Sequence, residues 1–252
     1  MTRRLIFTVD VDRDANLSIE GGNAAGSMDR GNGTDPRFSS SERGLGLLLE
    51  LLDDLGIKGT FFIEGRTSEV IDCSGIWGHC VGFHGYDHED LTSMSDPGAH
   101  MRRGFQAVRD NVSEPVCFRA PFMKVNDGII QELVTLGIGH DSSVYADPGI
   151  LPYLSNGVME HPVAKGRDGN GKTIAAYLWP MHEGRRFPAD YSSMITGEKD
   201  QDLVISTHSW HIVEGYDSGL MSKEEVVSNL NNVREVLELF LDRGFIPSTI
   251  TG

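Results

Sequence analysis

A chain of 252 residues is long enough for one sizeable core, and with 39% hydrophobic and 23% charged residues it has a folded, globular composition rather than a low-complexity one. Its formal charge of −15 argues against nucleic-acid backbones and anionic membranes as partners and favours a neutral or cationic small substrate. No apolar run approaches a membrane span.

The first twelve residues, MTRRLIFTVDVD, carry basic side chains, but the apolar stretch is too short for a secretory leader and ends in acids. The three cysteines, Cys73, Cys80 and Cys117, form no even framework and no CxxC pair. Both features lead to the expectation of a reducing, cytoplasmic setting.

Residues 4–12 are rich in branched and aromatic side chains and read as a strand. Residues 13–40 are Gly-, Asn-, Asp- and Ser-rich without periodicity, and so long a loop inside a compact domain is more often a lid or binding loop than an idle linker. We expect an active-site-side loop over 13–43. Ser39 and Glu42 are spaced as a capping box before a helix at 44–56, whose closing Gly56 suits a helix end. Strands are expected at 58–65 and 79–85, a helix opened by Ser95-Asp96-Pro97 and running to Asn111, and a strand at 115–121. A helix at 127–137 and strands at 138–143, 158–163, 173–179 and 202–208 follow, then a capped helix at 222–244 and a last strand at 245–250. No repeat and no boundary interrupts the series, so one domain over 1–252 is expected. Strands alternating with helices imply a parallel sheet, and seven or eight of them suit a barrel better than a doubly wound sheet. No glycine-rich nucleotide motif follows the first strand.

In such barrels chemistry gathers at the carboxyl ends of the strands. Those ends hold Asp10, Asp12, His84, Arg119, Asp141 and His208, each closing an apolar run. Asp10 and Asp12 are two apart on a strand and share a face, where they repel unless a metal or an arginine holds them. His84 and His88 are spaced to reach one ion, and Asp12 supplies an anionic third ligand; one carboxylate and two imidazoles leave positions open for water and substrate. A buried Arg119 needs a carboxylate, from Asp10 or Asp141. His208 suits an acid or base, with His211 competing for that role. His79, His100, His140, His161 and His182 read as structural or surface residues, and Glu64 lies near the site without an assigned task.

With these residues in place the chain resembles the polysaccharide deacetylases of the NodB-homology type, carbohydrate esterase family four, from Thr8 to about Ser209. The run 8-TVDVD-12 is similar to the family's first motif, which carries a base and a metal-binding aspartate. The run 78-GHCVGFHGYDHEDL-91 is similar to its His-x-x-x-His motif, 118-FRAPF-122 to the third, 140-HDSSVY-145 to the fourth and 203-LVISTHSW-210 to the fifth. The resemblance implies a distorted (β/α)7-type barrel in the α/β class. It also implies hydrolysis of an N-acyl group, acetyl in the first instance, from an amino sugar or an oligo- or polysaccharide. In that reading Asp10 is the base, Arg119 orients it and His208 is the general acid. Asp12, His84 and His88 hold one divalent metal, zinc first, with cobalt, nickel, iron or manganese as alternatives. Asp141, Phe122 and Tyr145 line the substrate side, with a backbone N–H near Phe122 or Tyr145 facing the oxyanion. Two departures stand out: Val11 separates aspartates that the family commonly has adjacent, and Val144-Tyr145 replaces an Asp-Trp pair. They open an alternative, an allantoinase-like or deformylase-like hydrolase of a small non-polymeric amide, and a further one, a non-catalytic carbohydrate-binding protein. Partners are expected to be an N-acylated sugar or small amide, with no nucleic acid and no membrane. Oligomeric state is left open, a homo-oligomer included.

Overall fold

The computed structural model describes residues 2–14, 36–197, 200–216 and 218–252. Its organising strand is β1 (Arg3–Val11), in which Leu5, Ile6, Phe7, Val9 and Val11 are all buried. A strand apolar on both faces belongs in the middle of a parallel sheet covered by helices. Each such large apolar side chain contributes about 1.5–3 kcal/mol when removed from water. Helix α1 (Ser39–Leu55) follows, then β2 (Thr60–Ile63), the single-turn helix α2 (Gly65–Ser68) and β3 (Cys80–Phe83). Helix α3 (Pro97–Asn111), β4 (Cys117–Phe118), α4 (Asp127–Thr135) and β5 (His140–Asp141) continue the alternation. Short strands come next: β6 (Tyr145–Ala146), β7 (Tyr153–Ser155), β8 (Val158–Glu160), β9 (Val163–Arg167) and β10 (Thr173–Ala175). The chain ends with the short helix α5 (Trp179–His182), β11 (Gln201–His208), the hairpin strands β12 (Glu214–Gly215) and β13 (Gly219–Leu220), α6 (Lys223–Leu241) and β14 (Ile246–Ser248).

The sheet runs β10-β9-β11-β1-β2-β3-β4-β5-β8-β7, with β14 beside the start of β1 and β6 beside β9. Because β6 follows β5 after only Ser142, Ser143 and Val144, the sheet turns back towards β9 and β11 and curls into an irregular barrel. The staves β1, β2, β3, β4, β5 with β6, β9 and β11 are all parallel where they pair. This is the distorted (β/α)7-type architecture expected from the sequence.

Three expectations are corrected in detail. The Ser39–Glu42 capping box does not form; α1 starts at Ser39 and its first N–H groups, of Ser40 and Ser41, donate to Asp14 at 3.1 and 2.7 Å. A carboxylate from the end of β1 does what a local cap would otherwise do, satisfying donors at the positive end of the helix. The expected strand at 158–163 is two strands, β8 and β9, which pair with different neighbours. The expected strand at 173–179 is β10, antiparallel to β9, followed by α5. Residues 15–35 of the expected 13–43 loop lie outside the described residues, and its last five, 39–43, belong to α1 instead. Its two ends meet at the carboxyl end of β1, where Asp14 N–H donates to the Arg37 carbonyl at 2.8 Å.

Two helical glycines let helices press onto the loops that leave the barrel. A Cβ at Gly44 of α1 would lie 1.8 Å from the Ser209 carbonyl oxygen, just past β11. One at Gly104 of α3 would lie 2.3 Å from the Gly85 carbonyl oxygen, just past β3. Alanine is ordinarily about 1 kcal/mol better than glycine inside a helix. Here the overlap with backbone outweighs that preference: Gly44→Ala is expected to lower stability by about 1–3 kcal/mol. A denaturant midpoint equal to or above the parent's would show that α1 does not bear on Ser209.

Candidate metal centre and its polar surround

Past the last paired residues the backbone ladder continues by one step around the barrel. The N–H groups of Glu64, His84, Arg119 and Ser142 donate to the carbonyls of Val11, Ile63, Phe83 and Phe118 at 2.9, 2.9, 3.1 and 3.0 Å. One rim of the barrel therefore carries a ring of polar residues at a common level, and Asp12 follows Val11 at that same level.

Asp12, His84 and His88 are buried, and each offers a ligand atom lying within 4.8 Å of the other two. His84 Nδ1 faces the Arg119 carbonyl at 2.8 Å, which requires the proton on Nδ1 and turns Nε2 towards Asp12 and His88. His88 Nε2 and Asp12 Oδ2 are 3.3 Å apart. His88 sits at φ 51°, an uncommon region for a side chain with a Cβ, and it reaches there through Gly85 at φ 69°. The turn is held by Glu89, whose carboxylate accepts from the N–H groups of Tyr86 and Asp87 at 3.1 and 2.7 Å. The His88 ring packs edge-on against Phe122, 4.6 Å between centroids, and Phe122 itself has φ 60°. One carboxylate and two oriented imidazoles, buried and convergent, fit a divalent transition metal.

Beside these donors lies Asp10, 1% exposed. Arg119 Nη1 donates to Asp10 Oδ1 and to Thr8 Oγ1, both at 2.9 Å, its Nε to the Ser142 carbonyl at 2.8 Å and its Nη2 to Ser142 Oγ at 2.8 Å. The guanidinium also stacks over the Phe62 ring at 4.3 Å. The carboxylate of Arg119 is thus Asp10 and not Asp141. Tyr177, which the sequence reading passed over, donates its hydroxyl to Asp10 Oδ2. Burial pushes the Asp10 carboxyl up, but Arg119 first, then His84, His208 and the Tyr177 hydrogen bond outweigh it, so its pKa falls below the ordinary value. Burial, then the Asp10 charge, raises the Tyr177 phenol well above its ordinary value, so it stays a donor.

His208 closes β11 in direct register with Asp10, its ring 5.2 Å from Tyr177 and 5.4 Å from Trp210. His211, its competitor, is fully buried, stacks on Trp210 at 4.3 Å and places Nε2 2.7 Å from Glu183. That arrangement leaves His208, the partly exposed one, facing the rim. Asp141 lies one step below the ring; it accepts from Ser143 Oγ at 2.5 Å, and Ser143 Oγ accepts from Ala120 N–H at 2.8 Å. Its cross-strand neighbour Glu160 accepts from Val144 N–H at 3.2 Å; burial, with the Asp141 charge adding to it, pushes its carboxyl up to about 10. Through these hydrogen bonds Asp141 and Glu160 brace the segment that leads to Tyr145, whose ring carries Lys165 5.1 Å above it. Glu64 also gains a task, as the partner of buried Arg13. Among the five histidines that read in sequence as structural or surface residues, His140 and His161 contact each other at 2.9 Å and His182 contacts Thr207 at 2.9 Å.

Fold and rim together define a curled α/β barrel with a centre of two histidines and one carboxylate at the carboxyl ends of its strands. Comparison with known proteins gives that class a family setting. The family model described as polysaccharide deacetylase matches residues 42–139, a stretch that includes His84, His88 and Arg119. A peptidoglycan deacetylase-like protein, FGM2, of Gibberella zeae is 31% identical over 172 residues, 62% of this chain and 48% of that protein. The chain thus spans about half the length of the curated relative it matches. Among solved structures, a Mycobacterium smegmatis protein assigned to the polysaccharide deacetylases aligns with a TM-score of 0.56 at 22% identity, over 99% of this chain and 93% of that one. A CE4-family pseudoenzyme from Bacillus anthracis aligns with a TM-score of 0.56 at 12% identity, over 99% and 64%. At these identities the structural likeness is one of fold. Over residues 42–139 the chain is similar to the polysaccharide deacetylases, and it shares the fold of their solved structures.

The ligand set has a direct check. The chain is expected to take up a divalent transition metal such as zinc, and His84→Ala to lose it, by metal analysis after dialysis. Full retention of metal by that variant would remove His84 from the set.

Proposed function

We propose that this chain is a metal-dependent hydrolase that removes an N-acyl group, acetyl in the first instance, from an amino sugar or an oligo- or polysaccharide. The observation that carries the reading is the Asp10–Arg119–Tyr177 constellation beside three convergent metal donors, with His208 in register across from it. Because a pseudoenzyme shares the fold, the rim residues rather than the barrel support an activity.

Asp12, His84 and His88 would hold the ion, which when bound supplies a Lewis acid for the acyl carbonyl and acidifies water. Asp10 accepts the proton of the attacking water. Arg119 and Tyr177 fix one carboxylate oxygen each, so that its remaining lone pairs keep one orientation. The backbone around Phe122 and Tyr145 faces the developing oxyanion. His208 protonates the departing amine, without which the C–N bond breaks poorly; such acid catalysis contributes about 10²–10⁴-fold. Asp141 and Glu160 do not touch the reacting atoms and hold the Ser142–Tyr145 segment in place.

The sign of the pH dependence follows from Asp10. Its pKa lies below the usual carboxylate value, so the base form is present throughout the neutral range and is lost only as pH falls through that lowered value. An acid limb near pH 6–7 would therefore belong to another group. Asp10→Asn is expected to cut kcat by at least about 10²-fold while metal content is retained. Tyr177→Phe removes one hydrogen bond to a charged group and should cost about 10- to 100-fold in kcat. Turnover by Asp10→Asn at the parent rate would refute the base assignment.

A second reading, a small non-polymeric amide as substrate, is supported by Tyr145 standing where the family commonly has a tryptophan, half-exposed beside Lys165. Acetylated oligosaccharides, nucleotide sugars and cyclic or formyl amides, assayed side by side with added metal, separate the two. Metal uptake without hydrolysis of any of them would instead favour a carbohydrate-binding role.

A further inference from the structure

The three donors come from two segments that are far apart in the chain, the end of β1 and the turn after β3. One buried side chain joins them. Arg13, the residue after Asp12, is 1% exposed. Its Nε donates to Glu64 Oε1 at 2.8 Å and its backbone N–H to Glu64 Oε2 at 2.8 Å, while Nη2 bridges Glu64 and Asp87. Glu64 is fully buried and accepts a further hydrogen bond from Thr67 Oγ1 at 2.6 Å. Asp87 immediately precedes His88, and Arg66 holds it from the other side at 3.0 Å. The segment after β2 that carries Glu64 is itself tied to the turn after β3 by backbone, with Gly65 N–H on the Gly85 carbonyl at 3.0 Å and Arg66 N–H on the Tyr86 carbonyl at 2.8 Å.

A buried arginine is costly to desolvate and contributes little net stability even when well paired; its best-attested use is to fix one arrangement among several. Here Arg13 follows Asp12 directly, and its planar fork meets one carboxylate from the segment after β2 and one from the turn that carries His88. We propose that Arg13, with Glu64 and Asp87, is the positioning clamp of the metal centre, setting the Asp12 carboxylate at its distance from the His88 imidazole. The proposal rests on the reading of Asp12, His84 and His88 as the ligands. It assigns to Asp87, which in sequence looks like one of several acids on a solvated turn, a role in metal affinity.

Loss of Arg13 would strand the buried Glu64 charge and is a poor test, because the variant can fail to fold. Asp87 is the usable arm: its side chain is 44% exposed, and its removal leaves the Arg13–Glu64 pair intact. Cobalt(II) serves as the probe, titrated into metal-free parent, Asp87→Ala, Asp87→Asn and His84→Ala, with affinity and the visible absorption spectrum recorded. Outer partners of metal ligands typically set 10- to 100-fold in affinity. Asp87→Ala is expected to bind cobalt about 10- to 100-fold more weakly with an altered spectrum, Asp87→Asn to fall between it and the parent, and the metal-free melting temperature to move little. Parent-like affinity and spectrum in Asp87→Ala overturn the clamp, as does a lowered melting temperature with affinity unchanged. If His84→Ala binds cobalt as the parent does, the ligand reading itself has failed, and the clamp with it.

Discussion

A guanidinium with no access to water has to find acceptors for its donors inside the protein, and the way Arg119 does so fixes the rest of the rim. From the end of β4 it reaches Thr8 and Asp10 on β1 and both the carbonyl and the hydroxyl of Ser142 beyond β5. It lies over Phe62 of β2, and its own carbonyl sets the His84 imidazole beyond β3. One residue therefore bears on the Asp10 carboxylate, the His84 imidazole and the loop beyond β5. Removing such a partner leaves an uncompensated buried carboxylate, which is commonly worth about 3–5 kcal/mol. Arg119 acts on structure and site together, and its loss would not separate the two.

The strand ends were legible in the sequence because each polar residue there interrupts an apolar run, and barrel chemistry gathers at such ends. Asp10, Asp12, His84 and Arg119 come together in the structure for that reason, with His208 in register beside them. Tyr177 was not legible. It lies in a stretch that reads as the interior of a strand, and its hydroxyl meets Asp10 across 167 positions of chain. Arg13 and Glu64 were hidden in the same way, since a buried ion pair 51 residues apart leaves no periodic trace. The short strands β6 to β10 were misjudged because two or three residues give no pattern from which a pairing partner follows. Asp14 shows the same limit at a helix end: a local signal pointed to Ser39 and Glu42, and a distant carboxylate took the role.

Burying so many ionisable groups near one rim conflicts with the stability of a barrel core, and the structure resolves the conflict by local pairing. Arg119 is matched to Asp10 and Arg13 to Glu64 and Asp87, while Asp141 lies across from Glu160, whose carboxyl burial pushes up. Each match crosses between staves, so a rim that would otherwise repel itself instead links neighbouring loops. Sites where local rules of burial are broken and then compensated by geometry are where function is expected.

The spacing of the two aspartates follows from the same geometry. Side chains alternate along a strand, so Thr8, Asp10 and Asp12 point to one side of β1 while Val9 and Val11 point to the other, and all five are buried. On the neighbouring strand Ser206 and His208 share that parity, registered against Thr8 and Asp10. Thr8 takes a hydrogen bond from Arg119 and lies 2.7 Å from Ser206 Oγ, so the inward row is polar and connected along its length. Adjacent residues of a regular strand point to opposite faces, so two neighbouring aspartates would not share that row. With Val11 between them, Asp10 near the end of β1 and Asp12 just past it both reach the rim, one level apart: Asp10 meets Arg119 and Tyr177, and Asp12 meets His88. The two-residue spacing therefore keeps the two carboxylates in one site with separate surroundings, one beside an arginine and one beside a histidine.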